Sequence, residues 1–208
     1  VTIGNLARPA VSAVVLAAGL STRMGAPKSL LPYGNATVIE CLVNKLASCT
    51  LSEIVVVTGH RRTKVEAALT GHSIQTVFNK EYATGEMLSS VQVGLAAASP
   101  GSDAVLIVLS DQPGIERSVV EQLLRAYRVG QAAVVIPSFQ MRRGHPLIVG
   151  KKHWRRIRML PTGATLRDYI HILGTAVQHV EVSTPSILRD IDSPRDYEQE
   201  LTRIRDEE

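Results

Sequence analysis

The chain has 208 residues, of which 45% are hydrophobic and 20% charged, the proportions of a folded globular protein and not of a disordered one. A single domain of this length buries enough surface to need no disulfide or metal staple. Aromatic residues amount to only 4%, with one Trp and two Phe, so a core of Ala, Val, Leu and Ile is expected, and a base-stacking platform for single-stranded nucleic acid is not.

No apolar run approaches the roughly 20 residues that span a bilayer. Residues 1–10 include Asn5, Arg8 and Pro9 and no long apolar core, so no signal peptide is expected and the reading is cytoplasmic. Cys41 and Cys49 match neither a redox pair nor a metal motif and read as packing residues. The net charge is +4, but it is local. Arg142, Arg143, Lys151, Lys152, Arg155, Arg156 and Arg158 carry it without an intervening acid, and the remainder of the chain is net negative. That distribution suits an anionic small molecule better than a long polyanion.

In chain order, residues 11–16, 53–58, 74–78, 104–109, 132–137, 146–149 and 177–182 read as strands. Between them, residues 36–48, 63–69, 87–98 and 118–129 carry apolar side chains at helical spacing. Continuous apolar strands such as Val105-Leu106-Ile107-Val108-Leu109 require cover on both faces. The fold class is therefore α/β, a doubly wound and mainly parallel sheet with helices on both faces, whose ligands bind beyond the carboxyl ends of the strands. After residue 137 the alternation loosens at Gly144, Gly150, Pro161 and Gly163. A final helix over residues 193–205 has Ser193 as its cap and Pro194 at its first position. No linker divides the chain, so residues 8–208 form one expected domain.

The most informative stretch runs from Val14 to Lys28. A buried strand ends at Leu16, Ala17, Ala18 and Gly19 and opens into a loop holding Arg23, Gly25 and Lys28. Small residues let a ligand approach the backbone, and free N–H groups in such a turn cradle phosphate. The glycine spacing is not that of a Walker loop, and no G-x-G-x-x-G is present.

Leu16 to Lys28 resembles the signature L-A-A-G-x-S-x-R-M-G-x-x-K of the MobA/MocA-like nucleotidyltransferases that act on the molybdenum cofactor. Further stretches resemble the same family in the same order: Asn79 with Gly85-Glu86-Met87-Leu88-Ser89-Ser90; Ser110-Asp111-Gln112-Pro113, with Ser for the usual Gly; Gly144-His145-Pro146; and Asp190-Ile191-Asp192-Ser193-Pro194-Arg195-Asp196-Tyr197. The resemblance covers nearly the whole chain.

It implies that Leu16, Ala17, Ala18, Gly19, Arg23, Gly25, Lys28, Asn79, Gly85, Ser89 and Ser90 bind the nucleotide. Arg23, Lys28 and Asp111 would be catalytic, and Asp111 would hold Mg2+, completed by Asp190 or Asp192. Asp192 reads equally well as a turn or cap residue beside Ser193. Gly144, His145 and Pro146 would line the acceptor side. Arginine grips phosphate as a fork and lysine as a mobile point charge, so both suit the charge that develops on departing pyrophosphate. For the basic stretch around Trp154, helical spacing puts Trp154 and Ile157 on a buried face and the cations in water; the alternative is a patch near the acceptor's phosphate.

The expected activity is transfer of CMP from CTP to molybdopterin or the molybdenum cofactor, with release of pyrophosphate. Ala18 follows the cytidylyltransferase form of the loop. Alternatives are a guanylyltransferase, transfer to a sugar phosphate or methylerythritol phosphate, and a silent nucleotide-binding module. Neither a nucleic-acid nor a membrane partner is expected.

Overall fold

The computed structural model describes residues 8–130 and 132–207, without the side chains of Arg23, Asp206 and Glu207. The reading of residues 1–10 therefore lies largely outside the described residues. Among the described residues ten strands and seven α-helices follow one another. They are β1 (Val11–Ala17), β2 (Pro32–Tyr33), β3 (Ala36–Thr37), α1 (Val38–Ala47), β4 (Glu53–Thr58), α2 (Arg62–Ala68), β5 (Gln75–Phe78), α3 (Glu86–Ala97), β6 (Ala104–Leu109), α4 (Arg117–Gly130), β7 (Val134–Phe139), β8 (Arg142–Arg143), β9 (Leu147–Gly150), α5 (Trp154–Arg158), α6 (Leu166–Leu173), β10 (Val177–Glu181) and α7 (Pro194–Glu207).

The main sheet runs β10-β7-β9-β6-β1-β4-β5. From β6 to β5 every pairing is parallel, and β10 is parallel to β7. Strand β9 is antiparallel to both β6 and β7, and the short β8 also pairs antiparallel with β7, as strands entered from a short hairpin must. The class is the expected one, a mainly parallel sheet flanked by helices.

Alternation along β1 explains its unbroken apolar run. Ala13, Val15 and Ala17 pack with side chains of α1, α2 and α4, whereas Val14 and Leu16 pack with those of α3, α5 and α6. At roughly 25 cal/mol per Å² of apolar surface, this two-sided burial is the main stabilising term. Helix α3 lies directly on β1 at Gly94, where a Cβ would come within 2.2 Å of Val14 Cγ1. Only glycine lets these two elements approach so closely.

Thr37 and Glu40 cap α1 reciprocally. Ser193 does the same for α7: its Oγ accepts from Asp196 N, and Asp196 Oδ2 accepts from Ser193 N at 2.7 Å. Trp154 and Ile157 are buried while Lys151, Lys152, Arg155, Arg156 and Arg158 are exposed, which makes α5 a solvated surface helix. Cys41 and Cys49 are free thiols. Among the described residues no helix is long and apolar enough to cross a membrane.

Helix α7 brings the end of the chain back to its beginning. Val38, Tyr33 and Ile191 form a small cluster with Tyr197, Leu201 and Ile204 packed against it. The segment before α7, residues 189–192, is thereby held over the carboxyl ends of β1 and β6, with Ile191 N donating to the Asp111 carbonyl at 2.8 Å.

Candidate active site

The site starts from two strand ends. Strands β1 and β6 are parallel neighbours, so Leu16–Gly19 and Ser110–Asp111 emerge side by side, and Ser110 N donates to the Leu16 carbonyl at 3.2 Å. Beyond them opens a cleft of about 440 Å³, lined by Leu16, Ala17, Ala18, Gly19, Lys28, Ser90 and Asp111 among the anticipated residues. The sequence reading did not single out Ser29, Tyr82, Thr84 and Glu86, which also face it. Leu20, Ser21 and Thr22 complete the rim. Ser21 turns the loop with a left-handed φ of 52° and accepts Lys28 N on its Oγ at 3.1 Å, so this serine sets the course of the chain from Gly19 to Lys28.

Lys28 Nζ lies 3.2 Å from Asp111 Oδ2 and 2.6 Å from Asp192 Oδ1. Three charges from three remote parts of the sequence thus meet at the mouth of the cleft. Partial burial pushes the Asp111 carboxyl above the usual carboxylate range; the Lys28 ammonium pulls it back and the Asp190 charge pushes it further up. Asp190 takes a different partner, accepting from Gln112 Nε2 at 2.5 Å. The side chain of Arg23 lies outside the described residues.

Several anticipated nucleotide residues do not line the cleft. Asn79 is 1% exposed, and its amide is fully engaged inside the protein. Its Nδ2 donates to Ser89 Oγ at 2.8 Å and Ser90 Oγ at 3.0 Å, while its Oδ1 accepts from Glu81 N. An amide with both N–H groups committed has no donor left for a base, so Asn79 acts on the cleft through Ser90. Ser89 is turned inward by the same contacts, donating to the Glu86 carbonyl. Gly85 serves packing, since a Cβ there would meet Ser89 Oγ at 2.5 Å. Gly25 is exposed with φ 65° and turns the loop away from the cleft.

A second cavity of about 690 Å³ adjoins the first and shares Glu86 and Met87 with it. Gly144 and His145 line it, whereas Pro146 is buried behind them. Burial holds the His145 imidazole below its ordinary pKa, with the Asp190 charge opposing and the Arg167 charge assisting, so it is neutral near pH 7. The cations facing this cavity are Arg143 and Arg167, over an apolar floor that includes Met87, Ile136, Leu147 and Ile170.

Arg167 and Ile170 belong to α6, a helix the sequence reading did not assign. Its signal was present: Thr165 caps it by accepting from Asp168 N at 3.1 Å, ahead of Leu166, Tyr169 and Ile170 at helical spacing. Pro161 and Gly163 just before it obscured that pattern.

The comparisons agree with this geometry. Residues 13–182 match the MobA-like NTP transferase domain. The chain is 33% identical over 153 residues to nicotine blue oxidoreductase of Paenarthrobacter nicotinovorans, covering 71% of this chain and 74% of the relative. It is 27% identical over 190 residues to the molybdenum cofactor cytidylyltransferase of Escherichia coli K12, covering 90% and 94%. A solved nucleotidyl transferase from Methanothermobacter superposes with a TM-score of 0.79 at 30% identity, over 95% of this chain and 97% of the other. With residues 13–182 matched by the family and the overall fold shared with a solved nucleotidyl transferase, the chain belongs to the MobA-like NTP transferase domain family and is a nucleotidyltransferase.

Proposed function

We propose that this nucleotidyltransferase moves CMP from CTP onto a molybdopterin-type acceptor with release of pyrophosphate. Residues 11–137 hold the nucleotide, and residues 138–208 hold the acceptor. The observation that carries the reading is the convergence of Lys28, Asp111 and Asp192 at a cleft built of small residues, next to a second cavity faced by two arginines.

The residues present fit a magnesium ion that shares its shell with a triphosphate. Among the described residues no three acids or histidines are arranged to hold a metal alone. Magnesium at nucleotides, however, commonly takes one or two carboxylates, with phosphate oxygens and water filling the rest. Asp111 and Asp192 meet that need, since both already face one cationic nitrogen. Asp190 stands close enough for its charge to act on Asp111. A divalent ion there would neutralise triphosphate charge.

In the transfer, an oxygen of the acceptor's phosphate bonds to the α-phosphorus of CTP. The bond from that phosphorus to the bridging oxygen breaks, and pyrophosphate leaves with the electron pair. The step needs alignment and charge stabilisation more than a base. The backbone of residues 17–19 lets the triphosphate lie close, and Lys28 and Arg23 stabilise the leaving group. Glu86 and Met87, common to both cavities, mark where the substrates meet.

CTP is favoured because Ala18 puts a methyl into the wall. It packs so tightly on Gly59 that a Cβ at residue 59 would stand 2.8 Å from it. The cytidylyltransferase relative points the same way.

Pyrophosphate release is measured with each NTP, Mg2+ and molybdopterin, for wild type and Asp111→Ala. Release with CTP and at least a tenfold loss in the variant, about 1.4 kcal/mol of barrier, supports the assignment. Release with GTP makes the enzyme a guanylyltransferase, and release only with a sugar phosphate or methylerythritol phosphate changes the acceptor. Nucleotide binding without turnover indicates a silent module.

A further inference from the structure

Gln112 follows Asp111 and is 2% exposed. Its Nε2 donates to Asp190 Oδ1 at 2.5 Å and to the Ile187 carbonyl at 3.3 Å. That carbonyl also accepts His145 N at 3.2 Å. Gly144 lies against the same oxygen, so close that a Cβ would stand 2.1 Å from it. One side-chain amide therefore joins the loop after β6, the tail at residues 187–190 and the loop that enters the second cavity.

Packing alone does not explain a glutamine here. Its Oε1 is buried with no hydrogen-bond partner, and an unpaired buried carbonyl costs free energy that an apolar side chain of similar volume would avoid. The Nε2 donor supplies the reason. The segment carrying Asp190 lies against the Asp111 loop, with Ile191 N donating to the Asp111 carbonyl at 2.8 Å, and Asp190 Oδ1 accepts from this amide at 2.5 Å.

We propose that Gln112 is a positioning residue that aims the Asp190 carboxylate at the Asp111 cluster and fixes the Ile187–His145 strut. It keeps the carboxylates of the nucleotide cleft and the wall of the acceptor cavity in register. The kinetic part of this proposal rests on the transferase reading above; the metal-binding part does not.

The test uses Mn2+ alone as the probe, titrated into the full chain without nucleotide and followed by electron paramagnetic resonance. Gln112→Met keeps length and volume but removes the donor, and should weaken Mn2+ binding about tenfold, the usual scale for losing a group that orients a metal-binding carboxylate. Gln112→Leu, which also removes the donor without adding charge, should weaken it to a similar extent and serves if the first variant does not fold. Because Gln112 works through Asp190, the double variant Gln112→Met/Asp190→Ala should bind Mn2+ no more weakly than Asp190→Ala alone. With turnover, the acceptor KM should rise about tenfold while affinity for metal-free CTP stays within twofold.

Mn2+ affinity within twofold of wild type in both single variants, or additive losses in the double variant, overturns the role of Gln112. Coupled Mn2+ affinities in a protein that releases pyrophosphate from no NTP would instead overturn the transferase reading and leave this role standing.

Discussion

Lys28 Nζ and Asp192 Oδ1 are 164 residues apart in sequence and 2.6 Å apart in space. The contact holds the last helix against the first loop and leaves one ammonium between two carboxylates, the second being Asp111 at 3.2 Å. Lys28→Gln leaves those carboxylates facing each other without a counter-charge. Steady-state pyrophosphate release should fall by about 10² or more, the scale of losing one donor aimed at developing charge. Urea denaturation should show a loss of only about 1–2 kcal/mol, since Asp192 is 42% exposed and solvent screens the pair. An unchanged rate would remove Lys28 from the chemistry.

The acid side of the pH profile follows from Asp111. Its pKa is raised, first by burial and then by Asp190 against the opposing pull of Lys28, so kcat/KM should begin to fall above the ordinary aspartate range near ~3.9. Asp190→Asn removes the like charge and should move that limb to lower pH.

Stability responds with the opposite sign. A raised carboxyl pKa means that the folded state holds the proton more tightly than the unfolded chain, so the contribution of Asp111 favours folding at low pH and is lost as pH rises through its folded pKa. Asp111→Asn should therefore be no less stable than wild type in metal-free buffer at pH 7, although inactive. Asp196 is held low by the Ser193 hydroxyl. Its contribution is present above the unfolded pKa and lost as pH falls through the folded one. Thermal melts of Asp111→Asn and Asp196→Asn against wild type from pH 3 to 7 check the pair of signs.

Two glycines should behave oppositely. Gly144→Ala drives a methyl into the Ile187 carbonyl, 2.1 Å away and unable to rotate aside, and should cost about 1–3 kcal/mol while raising the acceptor KM. At Gly19, which lines the cleft, a Cβ meets nothing within 4 Å. Gly19→Ala should stay within about 0.5 kcal/mol of wild type and weaken CTP binding, as measured by calorimetry.

Ala18→Gly removes one methyl from the wall against Gly59. The ratio of kcat/KM for GTP to that for CTP should rise about tenfold, the lower end of what one methyl group discriminates in a pocket. A ratio that does not move places base selection elsewhere.

Arg143 and Arg167 face the second cavity, proposed to take the acceptor, and among the described residues neither forms an ion pair. Replacing either with Ala should raise the acceptor KM about tenfold and leave the CTP KM unchanged, since an arginine that grips substrate phosphate acts on binding of that substrate. Equal rises in both KM values would refute a dedicated acceptor contact.

Much of this was legible along the chain. Residues 53–58 and 104–109 coincide with β4 and β6, since an apolar β-branched run buried on both faces declares itself locally. Ser193 and Pro194 open α7 as their chemistry demands, and the loop from Leu16 to Lys28 carries its pattern in consecutive residues. Helix α6 escaped because Pro161 and Gly163 interrupt the pattern just ahead of it, and with it escaped Arg167 and half of the second cavity.

Residue types and short-range spacing thus determined the long strands of the main sheet and the helices other than α6, because propensity and periodicity act over a few residues. Tertiary structure decided which polar groups face a ligand. Asn79 and Ser89 turn inward because their donors and acceptors satisfy one another. Asp190 and Asp192, two residues apart, take different partners, Gln112 for one and Lys28 for the other. The last two pairings span 78 and 164 residues and follow from how sheet and helices pack, so no local rule encodes them.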